Sequence, residues 1–196
     1  MTTIMDRAAV QLGPGTIKEE HKLTGRGRIQ PLVLDPDARL TTPSSPVDFT
    51  TMSRDELDQL YFDLVDTMRY NRGIGLAAVQ IGIPLRVFVM ETGGEYPEAL
   101  FNPRIVRSDD FTIMGEGCLS FPNTWVKVKR PARIRMRYQL IDGSTTTVEL
   151  EGLSARVALH EFDHLEGLTM RDRAAKIHWE RAQAKRKSYN RRSKRV

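Results

Sequence analysis

The six residues Leu159-His160-Glu161-Phe162-Asp163-His164 constrain this chain more than any other stretch of it. At ~3.6 residues per turn, His160 and His164 project from one face of a helix and can hold a single metal ion, with Glu161 placed between them to handle a proton. That pattern suits metal-assisted hydrolysis. A histidine pair on a helix also occurs as an ordinary satisfied surface or core feature, so its meaning depends on the rest of the chain. A catalytic centre needs about three protein ligands and an open position, and this motif supplies two of them. Downstream of the motif, His178 is the only further histidine, and Glu166 lies on the wrong helical face. Upstream, Glu116-Gly117-Cys118-Leu119-Ser120 carries the only cysteine, next to a flexible glycine. Cys118 is the best third candidate, although a lone cysteine is most often a small buried hydrophobe.

Composition limits where such a site can work. With 196 residues and 40% hydrophobic content the chain can bury one sizeable core, so one domain with tails is expected. No run approaches the roughly 18 apolar residues of a membrane span, and Asp6, Glu19 and Glu20 fit poorly in a transit peptide. A cytoplasmic location is the expectation, and a single cysteine excludes an internal disulfide framework. The formal net charge of +5 is unevenly spread. Arg171 to Val196 carry 11 Lys/Arg against Asp172 and Glu180, a net +9, which leaves 19 basic and 23 acidic side chains on the other 170 residues. The basic character therefore belongs to one terminal segment, read either as an arm for an anionic surface or as a solubilising appendage.

Periodicity marks the elements between the tails. Residues 1–28 read as an extension that is partly ordered at best, with order starting near Ile29 and a short strand around Leu32 to Leu34. Ser53 and Glu56 form a capping box for a helix whose apolar stripe is Leu57, Leu60, Tyr61, Leu64 and Met68, with Gly73 expected as the left-handed stop. The run Gly73-Ile-Gly-Leu-Ala-Ala-Val-Gln80 allows close approach of a backbone, either of the protein or of a ligand. A strand is expected over Leu85–Met90. The clearest sheet runs from Thr124 to Glu151, with alternating Ile134, Met136, Tyr138 and Leu140 and a turn at Asp142-Gly143. Ser154 is expected to cap the helix that carries His160.

Three of these segments together, Gly73-Ile-Gly-Leu-Ala-Ala-Val-Gln80, Glu116-Gly-Cys-Leu-Ser120 and His160-Glu-Phe-Asp-His-Leu-Glu-Gly167, resemble in content and order the three signature motifs of peptide deformylases. Phe101-Asn-Pro103, Arg130-Pro131 and the Asp142-Gly143 hairpin extend the likeness over about residues 29 to 172. The resemblance implies an α+β fold in which small antiparallel β-sheets surround a central helix bearing the HExxH motif, followed by a C-terminal helix. It implies a division into a 1–28 extension, a 29–172 catalytic domain and a basic 173–196 helix or tail. It also implies removal of the formyl group from the formyl-methionine of newly made proteins, with release of formate.

Carried over residue by residue, the likeness makes Cys118, His160 and His164 the ligands of one divalent metal and Glu161 the proton carrier. Gln80 and the Leu119 N–H become donors to the formyl oxygen. Ile74, Gly75 and Glu116 fall on the substrate side, Glu116 also pairing with Arg130, while Ile74, Met114, Leu153 and Val157 are candidates for the methionine pocket. The implied ion is Fe2+, with Zn2+, Ni2+ or Co2+ as alternatives, since ligand identity alone does not decide. The implied partners are nascent formyl-Met polypeptides and, through the basic tail, the ribosome, with no membrane and no sequence-specific nucleic acid. Deleting residues 176 to 196 is then expected to weaken ribosome binding while sparing hydrolysis of a free peptide. Leu159 and Val79 depart from the family pattern, where glutamine and proline are usual. Two other readings compete. A zincin-like peptidase would need a metal ligand downstream of the helix, and a non-catalytic RNA- or ribosome-binding module would have no use for an intact Gln80, Cys118, Glu161 and both histidines.

Overall fold

A capping box starts the first long helix where the sequence places it. In the computed structural model, which describes residues 23–91 and 96–193, helix α1 spans Arg54–Tyr70. The Ser53 side chain accepts from the Glu56 N–H, and Glu56 accepts from the Ser53 N–H at 2.7 Å. Such a cap is worth ~1 kcal/mol. Burial of Leu57, Leu60, Leu64 and Met68 contributes ~1.5–3 kcal/mol per side chain, so the cap sets where the helix begins and packing sets how firmly it is held. At the other end the Gly73 N–H bonds to Met68 O and the Arg72 N–H to Arg69 O, both at 2.9 Å. The left-handed residue is Arg72 (φ 58°) and not the expected Gly73. Gly73 is used for close packing instead, because a Cβ there would lie 2.9 Å from Leu119 Cδ1.

The opposite face of α1 is buried but polar. Asp63, Asp66 and Thr67 accept backbone N–H groups from Thr24, Gly27, Arg28 and Gln30 at 2.6 to 2.9 Å. Order thus reaches back to Thr24 along α1, ahead of the expected start near Ile29, while the first 22 residues of the expected extension lie outside the described residues.

Five strands form one antiparallel sheet in chain order: β1 (Gly75–Ala77), β2 (Val87–Met90), β3 (Glu98–Cys118), β4 (Phe121–Gln139) and β5 (Thr145–Glu151). The α+β class is as the sequence implies, with one continuous ladder where several small sheets were expected. Irregularities between Phe101 and Arg104, Ile105 and Arg107, and Gly117 and Cys118 interrupt the long β3–β4 pairing, and such bulges bend and twist a strand. Asn102 sits at the first of them, exchanging two 2.8 Å side-chain bonds with the Val47 backbone. Along β4 the alternation is regular: Val126, Val128, Arg130, Ile134, Met136 and Tyr138 are buried, and the residues between them face outward.

The inner face of the sheet holds helix α2, Gly152–Leu165. Ten of its 14 residues are buried, which makes it the central helix and requires partners for every polar group it carries. Strand β5 runs directly into α2, so the helix begins at Gly152 with Glu151 in the cap position, and Ser154 falls inside the first turn where it was expected to cap. Beyond α2 come the short α3 (Met170–Arg173) and α4 (Lys176–Ser193).

Helix α4 is not a free appendage at its start. Ala182 is buried and Trp179 half-buried in a cluster with Cys118, Phe121, Val126, Val128, Met170 and Val33. The Trp179 and Phe121 rings meet edge to face at 6.0 Å. Arg186 pairs with Asp35 at 3.1 Å. The Leu32–Leu34 segment is not a strand; it is a brace in which the Val33 N–H donates to Gln80 O (2.7 Å) and the Asp35 N–H to Ser120 O (2.9 Å). Removing residues 176–196 would take Trp179 and Ala182 out of the cluster that packs around Cys118, so the truncation would remove more than surface charge. Among the described residues no helix is long and apolar enough to cross a membrane.

Candidate active site

Cys118 is the last residue of β3, and α2 carries His160 and His164 one turn apart on the face turned towards it. One ligand atom from each of the three lies within 4.8 Å of the others, and all three residues are buried. Cys118 Sγ is 3.3 Å from His164 Nε2. Among the described residues this is the only group of three or more potential ligands so gathered. No downstream residue joins it, which removes the basis for the zincin-like reading. A soft thiolate with two imidazoles is a donor set for one zinc or ferrous ion.

Of the two imidazoles, His160 is the one with a side-chain support behind it among the described residues. His160 uses Nδ1 to meet Glu116 Oε2 at 3.0 Å, leaving Nε2 for the site. Glu116 is fully buried, and Arg130 grips both its oxygens at 2.6 and 3.0 Å. Burial works to raise the Glu116 carboxyl, but the His160 and Arg130 hydrogen bonds prevail and hold it well below the usual carboxylate range. With both oxygens occupied, Glu116 supports His160 and is not the substrate contact expected of it. Burial would also push His160 down, yet the negative groups Cys118, Glu116 and Glu161 raise it well above 6.5. Ligating imidazoles and thiols must be deprotonated, so metal binding there would displace protons. His164 is driven the other way by burial and by the positive charges of His160 and Arg130, as suits a neutral ligand.

Beside the three candidate ligands stand Glu161, Gln80 and Leu119. Glu161 is buried, burial pushes its carboxyl up to about 7, and its Oε2 has no hydrogen-bond partner among the described residues. Gln80 is held in a short 3-10 turn, Ala78–Ile81, where its side-chain carbonyl accepts the Ala77 N–H at 2.8 Å. That bond turns the amide NH2 towards Ser120 Oγ (3.1 Å) and Cys118 Sγ (3.5 Å). Leu119 follows Cys118 in the tight turn to β4. Gly75 is a close approach of two elements: a Cβ there would meet Glu161 Oε1 at 2.6 Å and Val157 Cγ1 at 2.8 Å. Ile74, Leu153 and Val157 share one apolar cluster, of which Met114 is not part.

Some members of the site were not anticipated. Asp163 is buried between Arg130 (2.6 Å) and Arg173 (2.7 Å), tying α2 to β4 and α3. Arg156 is 2% exposed and reaches Glu116 Oε1 at 2.6 Å. Its signal in the sequence is its place four residues before His160, on the same buried face, where a charge must find an anion.

A thiol and two imidazoles converging beside a buried carboxylate with one unpartnered oxygen, on a central helix of an α+β fold, define a mononuclear metal-dependent hydrolase. The family model described as polypeptide deformylase matches residues 29–180. A peptide deformylase of a Bradyrhizobium species is 38% identical over 166 residues, covering 80% of this chain and 93% of that protein. The one from Caulobacter vibrioides is 42% identical over 153 residues, covering 76% and 87%. Among solved structures, a peptide deformylase from Legionella pneumophila superposes with a TM-score of 0.76 at 32% identity, covering 86% of this chain and 99% of that one. One from Synechococcus elongatus, in complex with actinonin, gives 0.74 at 32% identity, covering 80% and 87%. The chain belongs to the peptide deformylase family. It is a metal-dependent hydrolase that removes the formyl group from the N-terminal formyl-methionine of newly synthesised proteins.

Proposed function

We propose that Cys118, His160 and His164 hold one Fe2+ ion and that Glu161, Gln80 and the Leu119 N–H carry the reaction. The observation behind this reading is the convergence of the three ligand atoms within 4.8 Å, beside a Glu161 oxygen with no other partner. A divalent ion bound there supplies Lewis acidity and lowers the pKa of a water from ~15.7 towards ~7. Glu161 takes the proton of the attacking water and returns one to the departing amine, a task favoured by a carboxyl raised to about 7. The Gln80 amide and Leu119 N–H donate to the formyl oxygen as it becomes negative, and losing one such donor costs ~2.7–4 kcal/mol. Ile74 and Gly75 lie along the substrate backbone: β1 is an edge strand of the sheet, with no strand paired on its side away from β2 among the described residues, and an extended peptide would add there.

The remaining assignments follow from the activity and the charge map. Residues 29–172 are the catalytic domain, preceded by the 1–28 extension. Residues 173–196 dock on the ribosome through exposed cations of α4, in the cytoplasm, where nascent formyl-Met chains arise. The decisive experiment measures formate release from a formyl-Met peptide after anaerobic, reducing purification and loading with Fe2+, Zn2+, Ni2+ or Co2+. The Fe2+ form should be highly active and lose that activity in air. A Zn2+ form as active as fresh Fe2+ protein would overturn the choice of ion, and absence of formate with every metal would overturn the residue assignments.

A further inference from the structure

Arg156 holds a position that no role described so far requires. Glu116 already has a bidentate guanidinium in Arg130, which is enough to neutralise a buried carboxylate. Yet Arg156, on α2, adds a second guanidinium to Glu116 Oε1 at 2.6 Å. The rest of its fork is fixed by the sheet: NH1 donates to Val128 O on β4 and NH2 to Thr112 O on β3, both at 3.0 Å. Its Nε is buried without a partner, so the side chain is placed at some cost, and a side chain chosen only for packing would leave no polar atom there.

What Arg156 adds is geometry. It stands one helical turn before His160 on the same helix, and the two grip opposite oxygens of one carboxylate, Arg156 on Oε1 and His160 Nδ1 on Oε2. Glu116 comes from β3, two residues before the ligand Cys118. Arg130 binds the carboxylate from β4 and is itself tied to Asp163 and to Leu159 O. Through Asp163 and Leu159 O, Arg130 fastens Glu116 to α2 only indirectly and not from the turn before Leu159, whereas Arg156 bonds Glu116 directly from that turn. With Arg156 present, Glu116 spans two consecutive turns of α2, so that the imidazole plane of His160 is set by the same helix that positions Arg156.

We infer that Arg156 is a positioning residue: through Glu116 it orients the His160 ring, so that Nε2 points to the place shared with Cys118 and His164. This inference rests on the assignment of Cys118, His160 and His164 as ligands. It extends that assignment by a residue that touches neither metal nor substrate.

The test uses the full chain with Co2+, whose d–d absorption reports ligand geometry independently of turnover. Supports behind metal-bound histidines typically contribute ~10- to 100-fold in metal affinity or activity. R156M should remain folded by circular dichroism, bind Co2+ ~10- to 100-fold more weakly in chelator competition and show an altered d–d spectrum. It should lose kcat with little change in KM. R156K, which can reach Glu116 but cannot fork to both carbonyls, should fall between R156M and the unaltered protein, and it decides the matter if R156M fails to fold. A folded variant with lowered thermal stability but unaltered Co2+ affinity and spectrum would overturn the inference. If the unaltered protein shows no Cys-to-Co2+ charge-transfer absorption at all, the ligand assignment itself fails, which is a distinguishable result.

Discussion

Glu161 is buried on α2, and its Oε2 is left without a hydrogen-bond partner among the described residues. An unpaired buried oxygen is expensive, so its retention points to a partner supplied during the reaction. Replacement of Glu161 by Gln keeps the shape and removes the proton acceptor. Metal content measured by emission spectroscopy should stay near that of the unaltered protein, while turnover falls ~10²- to 10⁴-fold; near-normal turnover would reject the assigned role. Gly75 tests the same atom from the other side. A methyl group there would press on Glu161 Oε1 at 2.6 Å and Val157 Cγ1 at 2.8 Å. Gly75→Ala should displace the carboxylate and lower kcat by ~10²-fold, the scale of a ~1 Å misplacement, with the metal retained. At this scale much was legible in the sequence. Cys118, His160, Glu161 and His164 announce themselves because their chemistry has few other uses in combination. Arg156, Asp163 and Ser120 did not, because nothing in the sequence says which anion or acceptor a lone arginine, aspartate or serine will meet.

Elements were legible where the cause is local and illegible where it is not. The Ser53–Glu56 box and the stripe after it lie within one helix, and so did their prediction. The alternation expected at Ile134, Met136, Tyr138 and Leu140 is likewise read within one strand, and it holds as far as Tyr138, with Leu140 just past the end of β4. The Leu32–Leu34 segment has the composition of a strand, but its hydrogen bonds go to Gln80 and Ser120, distant in sequence, so its role as a brace has no local signature. The Leu23–Gln30 segment is similar. Its order comes from Asp63, Asp66 and Thr67 on the polar side of α1, a face that periodicity assigns to solvent. Gly27 lies so close to α1 that a Cβ would sit 2.0 Å from Phe62 O. Gly27→Ala must push this segment off the helix, because a backbone carbonyl within a helix cannot yield. A loss of ~1–3 kcal/mol in denaturant unfolding is expected, as for overpacking elsewhere. A change below ~0.5 kcal/mol would mean that the segment is not held against α1 in solution.

For the whole molecule the dominant fact is that the acidic body and the basic end are physically joined through α4. The helix has one side in the cluster around Cys118, through Trp179 and Ala182, and another that exposes Arg181, Lys185, Lys187 and Arg191. Truncation cannot separate these two sides, because it removes Trp179 and Ala182 along with the charges. Charge reversal of exposed residues can. In K185E/K187E/R191E the packed residues and the Arg186–Asp35 pair are untouched, so formate release from a free formyl-Met peptide and thermal stability should stay unchanged. If α4 docks on ribosomal RNA, co-sedimentation with ribosomes should fall sharply for this variant. Each phosphate neutralised contributes roughly −0.7 to −0.9 to the slope of log affinity against log salt. Loss of three phosphate contacts should therefore flatten that slope by about two to three units. Equal affinity and equal slope for the variant and the unaltered protein would show that these cations do not face the ribosome. The truncation at residue 175 provides the contrast: it should lower thermal stability and turnover on the free peptide together, because it opens the cluster that packs around a metal ligand.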